Sequence, residues 1–249
     1  MAIGTRSYTR GYLSSSGLPP GIRALLISNI AVFVITFFAG RRLAGTLDLL
    51  MLRPSDVLTR GYIWQLATYM FLHQGIGHIL FNMLALWMFG TEFERLWGTR
   101  RFLNFYFFCG VGAGLCVVAA NYLPWGNPEV PTLGSSGAIF GILLASAVMW
   151  PDRQMLFYFL IPIKMKYFVM IIGAIAFLNS FNAASPVSEF AHLGGMLFGY
   201  VFLKIPRMRG VDPLGVMRES YRAWKLERAK KKFQVYMRKK GSDRDRTLH

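Results

Sequence analysis

Residues 102–121 read FLNFYFFCGVGAGLCVVAAN, 20 consecutive positions without a charge, set between Arg100-Arg101 on one side and Pro124 and Gly126 on the other. At 1.5 Å per residue such a helix is about 30 Å long, the thickness of a bilayer's hydrocarbon core. Working outward, further apolar runs occupy 24–39, 76–91, 136–151, 166–183 and 190–206, the fourth span stopping at Pro151 and the sixth at Pro206. The connection 41–73 is only half apolar and carries Trp64 and Tyr69, which suits amphipathic helix lying in the interface. The stretch 154–165 is semi-apolar too, and Lys164 and Lys166 make it a poor lipid core. The expectation is an all-α polytopic membrane protein, a six-helix bundle with an interfacial first loop. Composition agrees: 54% of the 249 residues are hydrophobic and 16% charged, against about 25% charged in soluble domains.

The formal charge of +16 admits either nucleic-acid binding or basic cytoplasmic segments on a membrane protein. An even number of spans puts both termini on one side. If that side is cytoplasmic it holds 24 of the 28 Lys and Arg, and the outer side keeps only Arg41, Arg42, Arg53 and Arg60. The chain then divides into a cytoplasmic N-terminal segment (1–23), a six-span domain (24–206) and a basic cytoplasmic tail (207–249). Residues 214–240 are expected to form a helix on anionic lipid, with Tyr221, Trp224, Phe233 and Tyr236 among the basic residues. No nucleic-acid motif accompanies the charge, so no nucleic-acid partner is expected. The polar first 20 residues lack a cleavable signal pattern, so the first run should remain as a span of a multi-pass protein in a cytoplasmic (inner) membrane. Cys109 and Cys116 share one helix face and cannot readily bridge each other; they read as packing residues. No His/Cys cluster has metal spacing, and neither metal nor cofactor is expected.

Polar side chains inside membrane helices are costly and call for a reason. Four stand out: His78 and Asn82 in the second span, Ser136 at the head of the fourth, and His192 in the sixth. Counting back from charged anchors at about 1.5 Å per residue puts all four in one layer of the outer half of the bilayer. His78 and Asn82, at i and i+4, share a helix face. Ser136 follows the turn Gly134-Ser135 and opens a helix whose free N–H groups favour developing negative charge. The fourth span is too short to cross alone, so 122–135 must dip inward, with its irregular backbone buried in protein or lining a wet cavity. A hydroxyl, an imidazole and further donors at one depth meet the needs of nucleophilic acyl transfer. Each signal also has a purely structural reading. Gly137/Gly141, Gly110/Gly114 and Gly195/Gly199 fit small-xxx-small helix packing, Asn82 could be interhelical glue, and His192 could bond a neighbouring carbonyl. The coincidence of depth favours chemistry.

These residues resemble the rhomboid family of intramembrane serine proteases over roughly 24–206. His73-x4-His78-x3-Asn82-Met83 resembles the family's second-span HxxxN element, and Glu94-Arg95-Leu96-Trp97-Gly98 its cytoplasmic exit. Gly134-Ser135-Ser136-Gly137 resembles the GxSG motif, and Ala191-His192-x2-Gly195-x3-Gly199 the sixth-span AHxxGxxxG motif. The resemblance implies a rhomboid-like bundle with Ser136 as nucleophile and His192 as general base, a dyad without a carboxylate. It further implies an oxyanion hole of the His78 and Asn82 side chains and the Ser136 N–H, acting on transmembrane protein substrates. Phe140 stands where the family commonly packs an aromatic against the base. His73, placed with Phe140 among residues packing near substrate and base, is expected at the mouth of the site, where it could orient the loop. Where the family often has Trp-Arg in the first loop, this chain has Trp64-Gln65, which puts loop anchoring in question. Glu189 is expected to cap the sixth helix, with orientation of the His192 ring as its other possible role. The alternative functions are a non-proteolytic rhomboid-like protein that binds membrane clients, usually marked by loss of the serine or histidine, and a small transporter. A transporter should show internal repeats or charges near the midplane, and neither is seen.

Overall fold

The computed structural model describes residues 17–124, 126–157, 161–180, 186–205 and Arg228. Those up to 205 lie within one compact unit. The expected tail helix 214–240 falls outside the described residues except for Arg228, which is helical.

Helix α1 (Pro20–Ala39) starts four residues before the apolar run does, with Pro20 in its first turn. The start is fixed from a distance. The buried Glu94 carboxylate accepts the N–H groups of Gly21 at 2.8 Å and Ile22 at 2.6 Å, and the Thr99 hydroxyl at 2.6 Å. First-turn N–H groups have no partner inside their own helix, and a carboxylate also suits the positive end of the helix dipole. Gly21 leaves room for it: a Cβ there would stand 3.0 Å from both Glu94 oxygens.

The interfacial connection is broken into short pieces rather than one amphipathic helix: α2 (Ala44–Leu50), α3 (Pro54–Thr59), α4 (Gln65–Thr68) and a 3-10 turn at Tyr69–Phe71. Pro54 restarts the chain, and Gly61 turns it at φ +71°. The second span is longer than its apolar core. α5 (Ile76–Ala85) and α6 (Thr91–Trp97) are joined by a π turn at Leu86–Gly90, and Gly98, at φ +79°, ends the rod. Then come α7 (Thr99–Asn121), α8 (Ser136–Met149), the hairpin β1 (Gln154–Phe157) and β2 (Ile161–Lys164), α9 (Met165–Asn179) and α10 (Pro186–Lys204). The chain is an all-α polytopic membrane protein whose small antiparallel hairpin, pairing Gln154 with Lys164 and Phe157 with Ile161, was not foreseen. Asp152 at its base takes Lys164 at 3.1 Å and Lys166 at 2.8 Å; Lys166, then Lys164, hold its carboxyl below the usual carboxylate range. Pro20–Ala39, Ile76–Trp97 and Thr99–Asn121 are long and apolar enough to cross a bilayer, and α8 and α9 are shorter apolar helices.

Helix α8 is central, lying against α7, α10, α9 and α5. It meets α10 through glycine. A Cβ on Gly195 would overlap the Gly137 carbonyl, and one on Gly199 would stand 3.0 Å from the Gly141 Cα. Cys109 and Cys116, both free on α7, face this seam: a Cβ on Gly141 would come within 2.6 Å of the Cys109 Sγ, and one on Gly194 within 2.7 Å of the Cys116 Cβ. Around the α8 C-terminus, Phe93, Trp97, Phe105, Trp150 and Phe202 form an aromatic cluster, with the Phe93 and Trp97 centroids 4.6 Å apart. Lipid provides no hydrophobic drive for helices to associate, so backbone proximity and packing hold the bundle.

Gly195→Ala should therefore lower the thermal midpoint of the detergent-solubilised protein, since overpacking costs about 1–3 kcal/mol. Gly45→Ala is the control: a Cβ there meets nothing within 4 Å, and its midpoint should be unchanged or slightly higher.

Candidate active site

Ser136 is delivered by the segment 122–135, whose described residues are non-helical and whose backbone is held by the first loop. Leu52 and Thr132 exchange N–H···O bonds of 3.0 and 2.8 Å, Ser55 N–H donates to Pro128 O at 3.0 Å, and Gly134 N–H to Tyr69 O at 2.9 Å. The Tyr69 hydroxyl donates to Gly110 O at 2.7 Å, tying the loop to α7; burial pushes this phenol far up, so it stays a neutral donor. Asn121 closes the start of the segment, accepting the Asn127 N–H at 3.3 Å. Irregular backbone at this place is thus paired with protein.

The Gln65 side chain is fully buried, its Oε1 accepts the Arg53 N–H at 3.0 Å, and its Nε2 lies 3.5 and 3.4 Å from the Asp48 and Leu49 carbonyls. Trp64 Nε1 donates to Leu49 O at 2.9 Å and Thr68 Oγ1 to Leu50 O at 2.8 Å. A neutral amide anchors the loop. Its partners are main-chain groups, which is why the sequence did not reveal the role.

Ser136 is the first residue of α8 and His192 the seventh of α10; His192 Nε2 is 3.0 Å from Ser136 Oγ. The Phe140 ring stacks on the imidazole at 4.1 Å with the planes 8° apart. On the other edge, His192 Nδ1 is 3.0 Å from Glu189 Oε2. The capping role expected of Glu189 left this contact as the secondary possibility; the i, i+3 spacing was the signal for it. Ser135, the other hydroxyl of the turn, is 0% exposed, its Oγ lying 3.4 Å from His73 Nε2.

On α5, His78 and Asn82 border the same turn. A Cβ on Gly134 would stand 2.8 Å from the His78 ring and 4.0 Å from Asn82 Nδ2. Gly134 has φ +118°, so this position needs glycine for both backbone and space. Asn82 Nδ2 is buried with no hydrogen-bond partner among the described residues. A buried, unsatisfied donor costs stability and invites an explanation. His73 is buried, its Nε2 beside the Ser135 hydroxyl and its ring edge-on to His78 at 5.1 Å; the ring stacked on His192 is that of Phe140. A hydroxyl beside an imidazole, at a helix N-terminus facing a spare amide donor, has the parts that nucleophilic attack on a carbonyl requires. Among the described residues no group of His, Cys, Asp and Glu is arranged to hold a metal.

Residues 60–208 match the family model described as Rhomboid domain. The chain is 34% identical over 177 residues to the Rhomboid protease GluP of Bacillus subtilis, covering 69% of this chain and 32% of that protein. It is 31% identical over 135 residues to the mitochondrial Rhomboid protein 1 of Saccharomyces cerevisiae, covering 53% and 38%. With the Rhomboid protease AarA of Providencia stuartii it shares 29% identity over 195 residues, covering 70% and 68%. The chain spans about a third of the length of the first two relatives.

Burial, with the His78 ring beside it, pushes His73 down to about 4, below the ordinary histidine value of about 6.5. Between about pH 6.5 and about pH 4 the unfolded chain binds more protons at this residue than the folded one, so stability should fall as pH drops through that window. Thermal midpoints measured across it should fall less steeply in His73→Gln than in the wild type.

Proposed function

The chain belongs to the rhomboid family, and from that premise we propose that it is an intramembrane serine protease, hydrolysing peptide bonds in or near the transmembrane segments of other membrane proteins. The observation that carries the reading is the 3.0 Å separation of His192 Nε2 and Ser136 Oγ. His192 takes the Ser136 proton as the oxygen attacks the substrate carbonyl carbon. The resulting oxyanion is met by the Ser136 N–H and the side chains of His78 and Asn82. Collapse of the tetrahedral intermediate breaks the C–N bond, His192 returns its proton to the leaving amine, and an acyl-enzyme remains on Ser136. Water, deprotonated by His192, then releases the second product. The Asn82 Nδ2, without a partner among the described residues, supports the oxyanion assignment, because a donor left spare at rest becomes paired as charge develops.

A helical substrate exposes no free amide carbonyl, since its backbone is paired within the helix. The substrate must unwind locally, which favours helix-weakening residues and a small residue at the cut. The Lys and Arg distribution supports both termini being cytoplasmic, with the basic tail 207–249 on anionic lipid; we read the membrane as the cytoplasmic one and 24–206 as the protease domain.

A fluorophosphonate probe should label the wild type and Ser135→Ala but not Ser136→Ala; labelling that survives Ser136→Ala and vanishes in Ser135→Ala overturns the assignment. Asn82→Ala should cut kcat by about 10²–10³-fold, as loss of one oxyanion donor does elsewhere. In a model transmembrane substrate, replacing a glycine near the cut by leucine should lower kcat/KM.

A further inference from the structure

We infer that Glu189 is a positioning residue for His192, so that the site works as a Ser136–His192–Glu189 array rather than a serine–histidine pair alone. The inference rests on the proposed roles of Ser136 and His192 and adds a third member to them.

A neutral imidazole has two tautomers, and only the one with its proton on Nδ1 leaves a lone pair on Nε2 to receive the Ser136 proton. Nothing at the serine end enforces that choice, because a hydroxyl both donates and accepts. The choice falls to the group at Nδ1. There the Glu189 Oε2, 3.0 Å away, presents an acceptor, and an ionised carboxyl group has no proton to donate. It selects the Nδ1–H tautomer and leaves Nε2 as the base. When His192 holds the serine proton in the transition state, the same carboxylate faces the positive ring, so the contact strengthens as charge develops.

The geometry makes Glu189 more than a surface neighbour. The His192 and Glu189 side chains are only 19% and 18% exposed, so their contact is partly shielded from solvent. Both belong to α10 at i, i+3, and the contact needs no other element to form it. The imidazole is then fixed on three sides: Phe140 stacks on its plane, Ser136 lies at Nε2 and Glu189 at Nδ1. His78 is a further titratable group that interacts with the ring.

The test uses the full chain in liposomes with a transmembrane substrate, comparing the wild type, Glu189→Ala, Glu189→Gln and Ser136→Ala, with ¹⁵N-histidine spectra and thermal midpoints for each. Glu189→Ala should lower kcat on the order of 10²-fold, the scale of a misplaced catalytic group. KM should be unchanged, and the His192 signal should shift from the Nδ1–H form toward a mixture of tautomers. Glu189→Gln keeps the length of the side chain but brings an amide that donates as well as accepts, so it no longer selects the tautomer; kcat should fall and the His192 signal should shift toward the mixture, with the midpoint near that of the wild type. It also serves as the test should the alanine variant fold poorly. A cap alone would lower the midpoint while leaving kcat, measured well below it, and the tautomer as in the wild type. That result in a folded variant, with Ser136→Ala inactive, overturns the role of Glu189 and spares the pair. An active Ser136→Ala overturns the underlying reading instead.

Discussion

Ser136 and His192 are 56 residues apart and sit on different helices, so their separation is set by how closely two backbones approach. Glycine sets that approach. Gly137 and Gly141 on α8 face Gly195 and Gly199 on α10, and the space for even one methyl is missing at Gly195. The pairing begins one residue after Ser136 and three residues after His192, so the seam and the reacting atoms form one structural unit. Small residues in membrane helices serve association in general; here the same residues also set a distance on which chemistry depends.

The second constraint is the need to pair every backbone polar group where the chain leaves the helix. The described residues of segment 122–135 form no helix and borrow partners from the first loop, through Leu52, Ser55 and Tyr69. The loop therefore does more than cover an interface. It fixes the height at which α8 begins, and with it the position of the Ser136 N–H. Tyr69 joins the two tasks, its carbonyl accepting from Gly134 and its hydroxyl donating to Gly110 on α7.

Much of the helical core was legible because its signals are local. The uncharged run 102–121 and the small-residue spacings need no knowledge of the fold, and α7 ends where the run does. What was not legible depends on distant partners. The start of α1 is fixed by Glu94, more than 70 residues on. The second rod continues through Glu92, Glu94 and Arg95, which composition excludes from a lipid core but not from a helix. The strands at 154–157 and 161–164 are too short and apolar for periodicity to separate from a helix end. At the site, motif spacing brought Ser136, His192, His78 and Asn82 into view together. The burial of His73 beside Ser135 was hidden, because it depends on the path of the turn. For Glu189 two roles fitted one spacing, and only the side-chain direction distinguishes them.

The Gln65 anchorage has one more consequence. Its attachment is built from an uncharged amide and main-chain groups, while the ion pair between Arg53 and Asp48 nearby is partly open to solvent. Screening by mobile ions weakens the latter and has little hold on the former. Changes in ionic strength, or in the headgroup charge of the surrounding lipid, thus slacken the rim of this loop while leaving its knot tied.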